Sequence, residues 1–201
     1  LLYLHAPDPQ VPVAESAGEL KRLLDQGKTR AVGVSNFNVQ QLEDFSAECP
    51  ITAYQPPYNM LQRTIEADTL PWCRAQGVST LVYWPLLKGL LTGKFTRDHV
   101  FPPEDNRRKY AMFRGEQWAK NQDLLDELRS LAHDAGITVA QLVIRWTVDQ
   151  PGVTSALCGA KRAQQIRDTA AAADIHLTGG QIEAIEKALQ RRGQPVTETP
   201  V

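Results

Sequence analysis

Short apolar runs recur along this chain, each followed by a helical pattern, and that alternation restricts the fold more than any other feature. Leu1–Leu4, Ala31–Val34, Thr52–Tyr54, Ser79–Tyr83 and Val153–Cys158 read as strands. Ser79–Tyr83 is apolar enough to call for burial on both faces. Between the first two runs, Ala17, Leu20, Leu23 and Leu24 fall at helical spacing in Val13–Gln26, with Pro12 suited to the first turn and Gly27 to the stop. Asn38 and Gln41 form a capping box ahead of Leu42 and Phe45. A helix is expected over Glu66–Gln76, ended by Gly77. Leu87–Lys120 reads as a long irregular stretch, and loops of that length in a compact domain are functional lids or disordered. Further helices are expected over Asn121–Ala135, from the box Thr138/Gln141 through Trp146, over Ala163–Ala173, and from the box Thr178/Gln181. The Pro- and Thr-rich tail, residues 193–201, is expected to fray. Strands alternating with helices imply an α/β protein with a parallel sheet and right-handed crossovers. An open doubly wound sheet and a barrel both satisfy the pattern. No G-x-G-x-x-G follows the first strand, which counts against a dinucleotide-binding Rossmann half.

At 201 residues the chain suffices for one large domain or two small ones. Lys plus Arg number 22 against 23 for Asp plus Glu, so no global field attracts nucleic acid or an anionic membrane. The longest uncharged stretch, Cys49–Gln62, is too short and too broken by proline to span a bilayer. Three cysteines without a C-x-x-C point to a reducing, cytoplasmic setting, and no signal peptide is visible. The chain opens without Met directly on a strand-like run, so further sequence is expected upstream.

In a parallel α/β protein, chemistry gathers where strands hand over to helices at their carboxyl ends. Those positions hold His5, Ser35-Asn36, Gln55, Tyr83-Trp84 and Gly159-Ala160-Lys161. A histidine, amides, a hydroxyl and an aromatic ring suit a flat, amide-bearing heteroaromatic ligand. The plainer alternative is that strand ends are polar because they meet solvent, with His5 a structural histidine. His99, His133 and His176 lack partners at metal spacing, so no metal is expected. Cys73 and Cys158 read as core, and Tyr58 and Trp118 as either pocket lining or core. Gly89-x-x-x-Gly93-Lys94-Phe95 is one residue short of a P-loop and has Phe where Ser or Thr would hold Mg²⁺.

The local sequences around those positions are more specific. Gly27-Lys-Thr-Arg-Ala-Val-Gly-Val-Ser-Asn-Phe37 closely resembles a signature of the aldo-keto reductases. So do Leu2-Tyr-Leu-His-Ala-Pro-Asp-Pro9, Gln55-Pro-Pro-Tyr-Asn59 and Pro85-Leu-Leu-Lys-Gly-Leu-Leu-Thr-Gly-Lys94, in family order over nearly the whole chain. The resemblance implies a single (β/α)8 TIM barrel domain, of which this chain supplies the fourth to eighth strand units, with 87–120 as a cofactor and substrate loop. It implies NADPH-dependent reduction of a small-molecule aldehyde or ketone to an alcohol by hydride transfer. His5 is similar to the family's active-site histidine, which hydrogen-bonds the substrate carbonyl. Ser35, Asn36 and Gln55 resemble the clamp on the nicotinamide carboxamide, and Tyr83 the ring stacked on the nicotinamide. Pro85, Leu86 and Lys94 match the loop along the pyrophosphate, with Trp84 at its entry. The triplet Arg107-Arg108-Lys109 reads as a solvated loop or, as the functional alternative, brings Arg108 over the cofactor phosphates. Gly159, Lys161, Gln165, Asp168 and Thr169 fall where the family holds the adenosine end.

Trp84, Lys88, Asp168 and Thr169 depart from the commoner Ser, small residue, Glu and Asn. The family's catalytic Asp, Tyr and Lys lie on the first three barrel units, which have no counterpart here. By itself the chain is therefore expected to lack turnover, general acid catalysis being worth about 10²–10⁴-fold. The resemblance equally allows a non-catalytic NADP(H)-binding regulatory subunit or an inactive fragment.

Overall fold

The computed structural model describes residues 1–196. Its strands are Leu2–Leu4 (β1), Val32–Ser35 (β2), Ala53–Gln55 (β3), Ser79–Tyr83 (β4) and Val153–Leu157 (β5). They form one sheet in the order β1-β2-β3-β4-β5, every neighbouring pair parallel. A doubly wound sheet reverses its strand order at a switch point. A sheet in which each strand lies beside the next follows the progression of a (β/α)8 barrel instead, here with five strands among the described residues.

The described chain divides into two compact units. The first comprises Leu1–Pro57, Thr64–Tyr83 and Gln150–Leu157, and so holds the whole sheet with α1 (Val13–Asp25), α2 (Val39–Glu48) and α3 (Thr69–Gln76). Side chains alternate across a strand. One sheet face carries Val32, Val34 and Tyr54 into a core with Leu20, Leu42 and Phe45. The other face carries the row Tyr3, Gly33, Ala53, Ser79, fixed by the register of β1 to β4. One ring lies among three small residues, and it fills the space above Gly33: a Cβ there would stand 2.4 Å from Tyr3 Cε1 and 2.9 Å from the Ala53 carbonyl oxygen.

The second unit comprises Tyr58–Arg63, Trp84–Asp149 and the chain from Cys158 onward. It holds α4 (Gly115–Asp134), α5 (Val139–Asp149), α6 (Ala163–Ala170) and α7 (Gly179–Arg192). Its long loop is held by its own rings. Phe95 and Phe113 pack edge-on against Phe101 at 5.1 and 5.2 Å, and Trp118 Nε1 donates to the Arg97 carbonyl at 3.0 Å.

Several expectations need correction. β2 and β3 each begin and end one residue later than their apolar runs, which makes Ser35 and Gln55 the last strand residues. β4 is not buried on both faces: Thr80 and Val82 are buried, while Ser79, Leu81 and Tyr83 are half-buried. α3 starts at Thr69, because the Asp68 carboxylate caps Thr69 N–H, and residues 64–66 form a separate 3-10 turn. α4 starts at Gly115, ahead of the expected Asn121. Its first turn, Gly-Glu-Gln-Trp, carries no apolar periodicity to reveal it. The Leu87–Lys120 stretch is not irregular throughout: it contains 3-10 turns at Leu87–Thr92, Asn106–Lys109 and Ala111–Phe113 before α4. α6 ends at Ala170, and Ala171–Asp174 is a 3-10 turn. Cys73 is fully buried, and burial pushes its thiol up to about 11, whereas Cys158 lies past the end of β5 and is only half-buried. Of the expected tail, 197–201 lies outside the described residues. Gly193 and Gln194 are held through their carbonyls by Arg192, and Val196 N–H reaches Gln117 Oε1 at 3.3 Å.

Candidate functional site

In the first unit the polar ends of four neighbouring strands are joined by hydrogen bonds. Asn36 Nδ2 donates to the His5 carbonyl (3.0 Å) and to Ser35 Oγ (3.1 Å). Ser35 Oγ donates to the Gln55 carbonyl at 2.6 Å, and Tyr83 Oη donates to Asn36 Oδ1 at 2.8 Å. The network spans β1 through β4 because parallel strands in consecutive order bring their carboxyl ends to one edge. Ser35 is buried, Gln55 and Tyr83 are half-buried, and His5 and Asn36 are exposed. Burial raises the Tyr83 phenol above its ordinary pKa, so it remains a donor at neutral pH.

Asn36 is central to this arrangement. Both amide protons and one oxygen lone pair are engaged, which leaves one acceptor position on Oδ1. It also sits at φ 63°, a left-handed conformation uncommon for a residue with a Cβ. The other non-glycine residues with positive φ among those described are Trp84, Leu87 and Lys88, at 60°, 41° and 54°. Such residues cost on the order of 1–3 kcal/mol each and persist where surrounding contacts over-determine them. At Trp84 the carbonyl accepts from buried Asn59 at 3.2 Å. Lys88 Nζ lies 4.2 Å from the centre of the Trp84 ring and 4.5 Å from that of Tyr110, so a cation clasped between two rings fixes this loop.

The second unit gathers cations. Partial burial lowers the Lys94 pKa, and Arg107, Lys161 and Arg162 lower it further, in that order. Asp105 is the one acid that counters them, and it is taken by Arg107, whose Nε reaches the two carboxylate oxygens at 2.9 and 3.0 Å. Arg107 also lies 4.9 and 5.0 Å from the centres of the Phe95 and Phe101 rings. Among the described residues, Lys94, Lys161 and Arg162 have no carboxylate at ion-pair distance. Unpaired like charges held together suit a polyanion.

Asp105 supplies a prediction. The side chain and then the backbone N–H of Arg107 pull its carboxyl from 3.8 to about 2. A carboxyl lowered on folding contributes stability that is present above its unfolded value and lost as pH falls through the folded one. The Arg107 Nε–H resonance of the folded protein is therefore expected to hold its position down to about pH 3 and to shift with a midpoint near pH 2. Asp105→Asn should abolish the transition, and a resonance indifferent to pH in the native chain would refute the pairing.

Other expected site residues are arranged differently. Pro85 is buried and Leu86 precedes the 3-10 turn of the loop. Gly159 is exposed, and a Cβ there would meet nothing within 4 Å. Gln165 Oε1 accepts from Lys161 N–H (2.8 Å) and Arg162 N–H (3.1 Å), so it closes the start of α6. Asp168 Oδ1 accepts from Gln164, and Thr169 Oγ1 donates to the Gln165 and Ile166 carbonyls, so both side chains are engaged within α6. Arg108 is exposed while Arg107 joins the cationic group. Tyr58 is core, stacked on Trp146 at 6.0 Å. Among the described residues, no His, Cys, Asp or Glu cluster is placed to hold a metal ion, and no helix is long and apolar enough to cross a membrane.

The family model described as Aldo/keto reductase family matches residues 1–190. The chain belongs to this family. It is 40% identical over 167 residues to the aldo-keto reductase YhdN of Bacillus subtilis, covering 83% of this chain and 50% of that protein. It is 34% identical to the NADH-specific methylglyoxal reductase of Escherichia coli, over 83% of this chain and 51% of that one. Among solved structures, the glycerol dehydrogenase from Gluconobacter oxydans superposes with a TM-score of 0.91 at 37% identity, covering 99% of this chain and 60% of its own. The chain thus spans about half the length of the curated relatives it matches.

Proposed function

We propose that this aldo/keto reductase chain serves an NADP(H)-dependent oxidoreductase that interconverts small-molecule carbonyls and alcohols. The observation that carries the reading is the linked network of His5, Ser35, Asn36, Gln55 and Tyr83 at the strand ends. The fit to a nicotinamide cofactor rests on two features. Asn36 keeps one acceptor position on an otherwise saturated amide, which matches a carboxamide N–H. Lys94, Lys161 and Arg162 lack carboxylate partners among the described residues, which matches phosphate groups.

Bound nicotinamide supplies or accepts a hydride. The chain's own residues bind and orient. Ser35, Asn36 and Gln55 hold the carboxamide, the Tyr83 ring packs on the nicotinamide, and the exposed His5 side chain hydrogen-bonds a carbonyl oxygen of the substrate. Trp84, Pro85, Leu86 and Lys94 line the diphosphate, with the 87–120 segment as its cover. Gly159, Lys161 and Gln165 serve the adenosine end. Asp168 and Thr169 serve that end too, with Asp168 Oδ1 and the Thr169 hydroxyl proton already engaged within α6. Arg108, exposed on the same loop, is the cation assigned to the phosphates, while Arg107 is paired with Asp105.

The direct test is consumption of NADPH on a panel of aldehydes and ketones, with alcohol formed in equal amount, by protein that includes the family's Asp-, Tyr- and Lys-bearing units, the chain by itself being expected to bind cofactor without turnover. Cofactor binding without turnover on any of them would favour a non-catalytic binding role. Asn36→Ala should weaken cofactor binding about 2- to 13-fold, the range of one lost hydrogen bond, or more because Tyr83 Oη is stranded. Unchanged affinity in a fluorescence titration would refute the clamp.

A further inference from the structure

Beneath the strand-end network lies a polar group that none of its hydrogen bonds use. Tyr3 points from β1 on the sheet face that also carries Gly33 and Ala53, and its ring packs over Gly33. Its Oη is buried and makes no hydrogen bond of ordinary length. A buried hydroxyl left without a partner is destabilising, so its retention calls for a reason. Gln55 lies two residues beyond Ala53 on the same sheet face, and its side chain partly offsets the rise that burial imposes on the phenol's pKa. Gln55 in turn has its carbonyl tied by Ser35 Oγ, so its backbone is fixed while its side-chain amide is held by no other bond among those described.

Resting on the nicotinamide reading above, we propose that Tyr3 is a positioning residue whose hydroxyl orients the Gln55 side chain for the cofactor carboxamide. A terminal amide rotates almost freely and has a donor and an acceptor end. The group behind it decides which end is presented. Gly33 and Ala53 leave room for a ring in this row of the sheet, and the phenol brings a polar atom to that place where Phe would bring none. The ligand-side bond and the Tyr3 bond then form together: closing on the carboxamide fixes Gln55, and a fixed Gln55 satisfies the orphaned hydroxyl.

The test compares two ligands on three variants of the protein: NADP+, and 2′-phospho-ADP-ribose, which lacks the nicotinamide. Tyr3→Phe keeps the ring over Gly33, so thermal stability should hold or rise. Its affinity for NADP+ should fall about 2- to 10-fold, in the range of one hydrogen bond, while its affinity for 2′-phospho-ADP-ribose stays unchanged. Gln55→Ala should show the same selective loss, and Tyr3→Phe added to Gln55→Ala should cost nothing further. Equal losses for both ligands in Tyr3→Phe, or additive losses in the double variant, would overturn the positioning role. If Gln55→Ala itself fails to separate the ligands, the nicotinamide reading falls. If Gln55→Ala separates them and Tyr3→Phe does not, only the role of Tyr3 falls.

Discussion

Gly33→Ala is expected to lower the stability of the protein by about 3 kcal/mol, the upper end of the ordinary cost of overpacking. The new methyl would meet Tyr3 Cε1 at 2.4 Å, Tyr3 Cδ1 at 2.7 Å and the Ala53 carbonyl oxygen at 2.9 Å. The first two contacts involve a side chain, but one whose hydroxyl is buried; the third is backbone of the neighbouring strand. Relief requires β2 to move away from β3. Ser35 lies two residues further along β2 and bonds to the Gln55 carbonyl at 2.6 Å, so the displacement would open the strand-end network. The check is a urea or guanidinium midpoint for the wild type, Gly33→Ala and the pair Gly33→Ala/Tyr3→Leu. The smaller side chain should restore part of the loss and leave the portion owed to Ala53. A midpoint unmoved by Gly33→Ala would mean that the close approach of Tyr3 to β2 does not exist in solution.

Gly33 also shows where sequence reading stops. As letters it is one position in a motif, and nothing in its neighbours tells that a ring from another strand occupies its space. The capping boxes were legible because each is local: Asn38/Gln41, Thr138/Gln141 and Thr178/Gln181 all close reciprocally as the spacing implies. The strand ends were legible for a related reason. Apolar runs stop where a chain leaves a sheet, so His5, Ser35, Asn36, Gln55 and Tyr83 could be named, although not their bonds. Strand order was not legible in the βα alternation, which is common to barrels and doubly wound sheets; the resemblance of the motifs pointed to the barrel, and the consecutive pairing bears it out. The pairing inside the run Arg107-Arg108-Lys109 was not legible either: that Arg107 is the cation held by Asp105 and two phenylalanine rings is decided by packing alone. Tyr3 was hidden for the opposite reason, its role arising from a residue 52 positions away.

Lys161→Met is expected to weaken binding of NADPH while leaving NADH nearly unchanged. Lys161 is exposed just past β5 and immediately before Arg162, the residue that precedes α6. A helix start would ordinarily offer backbone N–H groups to a phosphate. Here the Gln165 side chain accepts from Lys161 N–H and Arg162 N–H, so those two amides are taken and the cationic side chains add to what the helix start still offers a 2′-phosphate. No carboxylate neutralises Lys161 among the described residues, and Lys94 and Arg107 add positive potential of the same unit. An acid at this point would select the free ribose hydroxyl of NADH by repelling the phosphate. A charge-assisted hydrogen bond is worth about 1.5–3 kcal/mol, or roughly 10- to 150-fold in affinity. Exposure of the lysine and the presence of Arg162 place the expected loss near the lower end, about tenfold. Paired fluorescence titrations of the protein and the variant, at one fixed ionic strength because the attraction is screened, read the difference directly. The outcome is open to experiment in a pointed way, since a 34% identical relative is named as NADH-specific. Equal losses for the two cofactors, or a native chain that binds NADH as tightly as NADPH, would show that Lys161 does not read the 2′-phosphate.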